Sequence, residues 1–124
     1  MKAKYTKYSN INLHYSIWMT TEQGENVISD ERMQLLMAIQ KLGSLRAASD
    51  ALQISYRKAW GDLKATESLL GFPLIDKHRG GKDGGTTLLT EEGIRLVNAY
   101  TDFKNEFQVA VNKVIIKFKK TIKE

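Results

Sequence analysis

The stretch Ser44–Trp60, SLRAASDALQISYRKAW, constrains the fold more than any other part of the chain. A run of small residues and leucines stops at Gln53-Ile54, and Ser55 opens a second run headed by Tyr56, Arg57 and Lys58. Serine is a favoured helix N-cap because its hydroxyl accepts one of the orphan amides of the first turn. Ser44 and Ser55 therefore predict two helices, over 44–52 and 55–70, with Gln53-Ile54 as a tight turn between them. The first carries Leu45, Ala48 and Leu52 at helical spacing, and its small residues Ala47, Ala48, Ser49 and Ala51 allow a neighbour to approach closely. The second has its apolar stripe at Ala59, Leu63, Thr66 and Leu70.

The flanking segments supply the rest of a compact unit. Residues 11–19 place apolar groups at every second position, Ile11, Leu13, Tyr15, Ile17 and Met19, which predicts a strand with one buried face. TEQGEN follows as a turn, and Val27-Ile28 returns as a short second strand, giving a hairpin over 11–28. Ser29 caps a helix with Asp30 and Glu31 in its first turn, where the helix dipole favours anions. Its apolar face runs through Met33, Leu36, Met37 and Gln40, with Leu35, Ile39 and Leu42, and Gly43 ends it as a left-handed cap. After Gly71, Pro73 bars a helix. Leu74-Ile75 and Thr87–Leu89 read as two strands around a glycine-rich basic tip, a hairpin over 73–89. Thr90 caps a last helix, with Glu91 and Glu92 in its first turn, that continues to about Lys120. The domain organisation expected is a basic arm over 1–10, a folded domain over 11–89 and a long helix over 90–124. The fold class is α+β, mainly helical.

Length and composition set the limits. A chain of 124 residues with 42% hydrophobic content suits one ordinary core. There is no cysteine, which excludes disulfides and thiolate metal sites and fits a reducing cytoplasm. His14 and His78 have no partner at metal-ligand spacing. No apolar run approaches the roughly 20 residues needed to span a bilayer, and the basic N-terminus has no apolar segment behind it to make a secretory signal. The net charge is +5, and within residues 41–82 cations outnumber acids by eight to four. A basic middle favours a polyanionic partner.

Hairpin, three short helices, a glycine-rich basic hairpin and a long helix follow one another in the order of a winged helix-turn-helix. In that arrangement the first helix of the pair braces the second, whose N-terminal turn enters a major groove of duplex DNA. Ser55, Tyr56, Arg57 and Lys58 are the hydroxyls and cations such a turn needs. Arg57 is suited to a bidentate grip on guanine, and Lys58 and Lys64 to phosphates. Ser44 and Arg46 are expected at phosphates beside the bracing helix. In the second hairpin His78, Arg79, Gly80, Gly81, Lys82, Gly84 and Gly85 combine positive charge with little bulk, which lets backbone approach a phosphate or minor groove. Three blander readings stand beside these. The cations of 55–58 are also what a solvated helix face carries, the second hairpin is also an ordinary loop, and Trp60 suits core packing as well as DNA contact. A nucleotide-hydrolase phosphate loop is disfavoured, because Lys82 is followed by Asp83 and a strand rather than by Ser or Thr and a helix. No nucleophile and base fall together, so no enzyme is expected, and no cofactor or small-molecule effector is evident.

The segments GSLRAASDALQISYRKAW and FPLIDKHRGGKDGGTTLLTEEGIRLV resemble the N-terminal DNA-binding domain of the ModE family of molybdate-responsive regulators. The Ile54–Trp60 run and the Gly80–Gly85 wing carry most of that likeness, and LTEEG (Leu89–Gly93) is similar to the wing-to-helix junction of LysR-type regulators. The resemblance covers roughly residues 11–105 and implies a winged-helix DNA binder that dimerises through its last helix. Members of the family continue into a molybdate-binding region; nothing up to Glu124 supplies that oxyanion site, so molybdate sensing is not implied.

The last helix argues for dimerisation on its own account. Leu96, Tyr100, Phe103, Phe107, Ala110 and Val114 recur at alternating spacings of four and three, the period two helices need to pack lengthwise. Phe118, with Val111, Ile115 and Ile122, forms a second apolar row toward the C-terminal end, while Ile94 and Val97 are expected to fold back on the domain. The expectation is a cytoplasmic homodimeric transcriptional regulator that binds double-stranded DNA. The rival is a protein-interaction module that uses the same scaffold without meeting DNA.

Overall fold

The computed structural model describes residues 10–78 and 86–123, and its order of elements is the one expected, mainly helical with two small antiparallel ribbons. β1 (Trp18–Thr20) pairs with β2 (Asn26–Ser29), and helices α1 (Asp30–Leu42), α2 (Leu45–Ala51) and α3 (Tyr56–Leu70) follow. β3 (Ile75–His78) pairs with β4 (Thr86–Leu89), and α4 runs from Glu91 to Lys123. The backbone forms two compact units. One spans Ile17–Tyr100, and the described part of the other comprises residues 10–16 and 101–123. The division thus falls inside α4 rather than before it.

Local chemistry sets each helix boundary in the larger unit. The hydroxyls of Ser29, Ser44 and Ser55 accept the amides of Arg32, Ala47 and Lys58 at 3.2, 2.9 and 3.0 Å. At the other ends, Gly43 (φ 79°) and Gly71 (φ 85°) donate their amides to Ile39 and Glu67. Between α2 and α3 the turn needs a left-handed residue and takes it from Gln53 (φ 57°), a conformation costing a non-glycine residue roughly 1–2 kcal/mol.

The core is built on Met33, Leu36 and Ile39 of α1, Leu45 and Ala48 of α2, Ala59 and Leu63 of α3, and Leu74 beside β3. Thr66, the polar member of the α3 stripe, is 2% exposed. Its hydroxyl donates to the Asp62 carbonyl and accepts from Arg32, which also donates to the Asn26 carbonyl and so joins β2, α1 and α3.

Two polar clamps hold the second ribbon. Thr87 of β4 is buried, its amide donates to the Gly43 carbonyl at 2.9 Å, and its hydroxyl accepts the Leu45 amide at 3.2 Å. The Glu67 carboxylate of α3 accepts the amides of Leu74 (2.7 Å) and Ile75 (3.3 Å). Thr90 then donates its amide to Leu74 and its hydroxyl to the Pro73 carbonyl, while accepting the Gly93 amide as the cap of α4. A Cβ on Gly93 would lie 2.4 Å from the Leu74 carbonyl oxygen, so this crossing requires glycine.

Three expectations are corrected. The strand predicted over 11–19 is only Trp18–Thr20, and Ile11, Leu13 and Tyr15 are 41–46% exposed. Its partner β2 has only four residues, so among the described residues no strand pairs with the chain before Trp18 to satisfy its amides and carbonyls. Leu42 and Ile94, read as core, are 45% and 39% exposed. Tyr100, placed in the dimer seam by its spacing, is 5% exposed in the larger unit, and its hydroxyl donates to Asp30 Oδ1 at 3.1 Å.

In the smaller unit the Tyr15 hydroxyl donates to Gln108 Oε1 at 2.8 Å. Its ring lies 5.7 Å from that of Phe107, which is 5.9 Å from Phe103. Val109, Val114, Ile116 and Phe118 are 54–64% exposed. Among the described residues no helix is long and apolar enough to cross a membrane.

Two stability tests follow from these contacts. Replacing Glu67 with Ala strips two amides of their acceptor and is expected to cost about 2–4 kcal/mol in urea unfolding, with Thr87→Val costing about 1–2 kcal/mol. Burial, reinforced by the hydrogen bond and charge of Asp30, raises the Tyr100 pKa from 10.0 to about 12. The folded state therefore holds this proton more tightly than the unfolded chain, so stability should decline between pH 10 and about 12. Tyr100→Phe should remove that part of the decline in alkaline melting curves.

Candidate nucleic-acid interface

The buried side of α3, Ala59, Leu63 and Thr66, fixes what its opposite side presents. At 100° per residue, the positions directly across the helix are Arg57, Gly61, Lys64 and Ser68, and all four are exposed. Arg57 makes no hydrogen bond or ion pair with any described residue, which leaves its five donors available to a ligand. Lys64 sits 3.1 Å from Glu67 Oε1 and places its ammonium 4.5 Å from the centre of the Trp60 ring. That cation–π contact and ion pair hold the lysine along the helix flank.

The other predicted residues divide between the flanks and the caps. Lys58 lies on the side of α3 facing α1, 2.9 Å from Asp62 Oδ2 and 3.6 Å from Glu31 Oε1. The hydrogen bond and charge of Asp62, with Glu31 beyond, raise its pKa above the ordinary lysine value, so it stays charged. Lys58 is thus engaged with two carboxylates, although exposed pairs of this kind are worth at most about 1 kcal/mol. Tyr56 is half-buried beneath the guanidinium of Arg46, which stands 4.8 Å from the ring centre. This contact joins the start of α3 to α2, so Arg46 and Tyr56 reach the surface as one unit. The Ser44 and Ser55 oxygens accept helix amides, and their O–H groups keep the capacity to donate.

His78 is the last residue of β3, paired with Thr86. Arg79, Gly80, Gly81, Lys82, Gly84 and Gly85 lie outside the described residues, as do residues 1–9 of the basic arm over 1–10. Trp60 is half-buried with Lys64 against its face. Among the described residues, no group of three or more His, Asp or Glu side chains is arranged to hold a metal ion.

Gly61 and Ser68 are missing from the sequence-based set, although the periodicity that marked Ala59, Leu63 and Thr66 as inward also marks them as outward. Neither carries the charge or first-turn hydroxyl that singles out a DNA-contacting residue in sequence. Gly61 is notable because a glycine inside a helix costs roughly 1 kcal/mol relative to alanine.

The sequence pattern of bacterial regulatory helix-turn-helix proteins of the lysR family matches residues 31–94. The chain is 36% identical over 87 residues to the molybdenum transport protein ModE of Azotobacter vinelandii, covering 70% of this chain and 32% of that protein. It is 36% identical over 92 residues to the molybdenum-pterin-binding protein MopB of Rhodobacter capsulatus, covering 74% and 33%. The resemblance to the ModE group read from Ile54–Trp60 is therefore borne out, and the chain spans about a third of the length of these relatives. Among solved structures, its fold is similar to the chain in the CbnR_DBD-DNA complex (TM-score 0.54, 18% identity, 68% of this chain and 91% of that one). It is also similar to VV2_1132, a LysR family transcriptional regulator (TM-score 0.51, 23% identity, 67% and 29%). With more than half of its length inside the matching pattern, the chain belongs to the bacterial regulatory helix-turn-helix proteins of the lysR family.

Proposed function

We propose that this chain is a DNA-binding transcriptional regulator that grips duplex DNA through α3 and works as a homodimer. The observation that carries the reading is the outward face of α3, where Arg57 and Lys64 stand opposite the buried Ala59–Leu63–Thr66 stripe. With the first turn of α3 in a major groove, Arg57 pairs bidentately with a guanine, while Lys64 and Lys58 meet phosphates, Lys58 leaving its carboxylates to do so. Arg46, Ser44 and Ser55 contact the backbone at the groove edge, and Arg79, Lys82 and the glycines over 80–85 approach the flanking strand or minor groove. The similarly folded CbnR_DBD chain was crystallised in a complex with DNA, which supports DNA as the partner. The regulatory role is carried over from the helix-turn-helix family, and the molybdenum chemistry in the relatives' names is not.

Dimerisation rests on α4. Phe107 and Val114 of the first row and Phe118 of the second are 40%, 64% and 54% exposed, an apolar surface suited to a second copy. Tyr100 leaves the proposed seam, and Leu96, Phe103 and Ala110 remain in it. A two-fold dimer asks for an inverted repeat with half-sites spaced by whole helical turns of roughly 10–10.5 base pairs. Val109 and Ile116, 55% and 64% exposed outside those rows, favour a second reading in which α4 docks on a different protein.

Duplexes selected from the source genome test the proposal in gel-shift titrations. Affinity should fall with salt at a slope of about −0.9 per neutralised phosphate, and Arg57→Ala should cost about 1–3 kcal/mol of specific binding. Salt-independent binding, or no enrichment of any duplex, leaves the interaction-module reading. For the dimer, Val114→Glu with Phe118→Glu should halve the mass seen in light scattering and weaken binding to inverted repeats; an unchanged mass refutes the seam.

A further inference from the structure

We propose that Gly61 is a close-approach point, where the bare backbone of α3 lies against base-pair edges and the ligand, rather than the protein, excludes a side chain. The inference rests on the DNA-binding reading above and assigns it a specificity-determining residue. The other described glycines are each required by the fold itself. Gly24, Gly43 and Gly71 have φ between 79° and 89°, and Gly93 has no room for a Cβ beneath the Leu74 carbonyl. Gly61 has neither reason, since it lies within α3 without a left-handed φ and a Cβ built on it meets nothing within 4 Å. The protein therefore keeps a helix-weakening residue at an open position where alanine fits and favours the helix.

The place of that residue indicates what occupies the space. Gly61 is one turn after Arg57 and one turn before Lys64 on the face opposite the buried stripe, with Ser68 a turn further on. A cation on each side of a bare patch suits a ligand that is anionic at its margins and closely packed at its centre. The major groove has that form, with phosphates along its walls and base edges on its floor. Without a Cβ at 61, α3 can sit deeper, so that Arg57 reaches a guanine while the Gly61 Cα faces a neighbouring base edge or thymine methyl.

The test compares wild type, Gly61→Ala and Gly61→Leu on the duplex selected by the wild-type chain and on a non-specific duplex of equal length. Both variants should melt at or above the wild-type temperature, because helix propensity rises. Affinity for the selected duplex should fall at least about tenfold for alanine and further for leucine, with non-specific affinity and salt slope unchanged. Wild-type affinity in both variants on the selected duplex overturns the inference while leaving DNA binding intact. Equal losses on the two duplexes overturn the assignment to base edges. Failure of the wild-type chain to select any duplex overturns the underlying reading, and this one with it.

Discussion

The larger unit depends on how the backbone groups at its helix junctions are satisfied. Where α1 stops and α2 begins, the Gly43 carbonyl and the amide of the buried Leu45 have no partner within either helix. Thr87 meets both, through its amide and its hydroxyl, and so ties the second ribbon to the helix pair. Glu67 does the same for the Leu74 and Ile75 amides from the other side, and Thr90 closes the crossing with the Leu74 and Pro73 carbonyls. An unmet polar group inside a protein costs 1–3 kcal/mol, so these few bonds decide where the ribbon sits relative to α2 and α3.

That rigidity gives the exposed side of α3 its meaning. A helix whose inner stripe is fixed by Ala59, Leu63 and Thr66 presents Arg57, Gly61 and Lys64 in one orientation. The surrounding charges are graded. Arg57 is free of described partners, Lys64 is shared between Glu67 and the Trp60 face, and Lys58 sits between Asp62 and Glu31. On the DNA-binding reading proposed above, a phosphate would compete with carboxylates at the flanks, while a base edge would meet an unopposed arginine at the centre. Acids at the flanks weaken indiscriminate binding to polyanions more than they weaken a centred, specific contact.

α4 serves both units with one continuous sequence. Val97 and Tyr100 point into the larger core, and the apolar groups after Thr101 remain largely open. The alternating spacing of four and three runs through both parts, which is why periodicity alone assigned Tyr100 to a seam. A helix records its apolar face in sequence but not which neighbour covers each turn. Tyr100 is covered because Asp30, at the start of α1, stands where its hydroxyl arrives.

Much of the architecture was legible because it is local. The serine caps, the left-handed Gly43, the Pro73 break and the inward Ala59, Leu63 and Thr66 of α3 each depend on residues within about one turn and appeared as expected, whereas Leu70, the last member of that stripe, is only half-buried. The site was legible in part, since Arg57 and Lys64 follow from the register of that stripe. What sequence alone left undecided needed a partner distant in the chain. Ile11–Met19 had the alternation of a strand but, among the described residues, no neighbour long enough to pair with it, and Lys58 had the charge of a groove contact but Glu31 and Asp62 beside it. Hydrogen-bond valence and charge are properties of a residue, whereas their satisfaction belongs to the fold that brings the second group within reach.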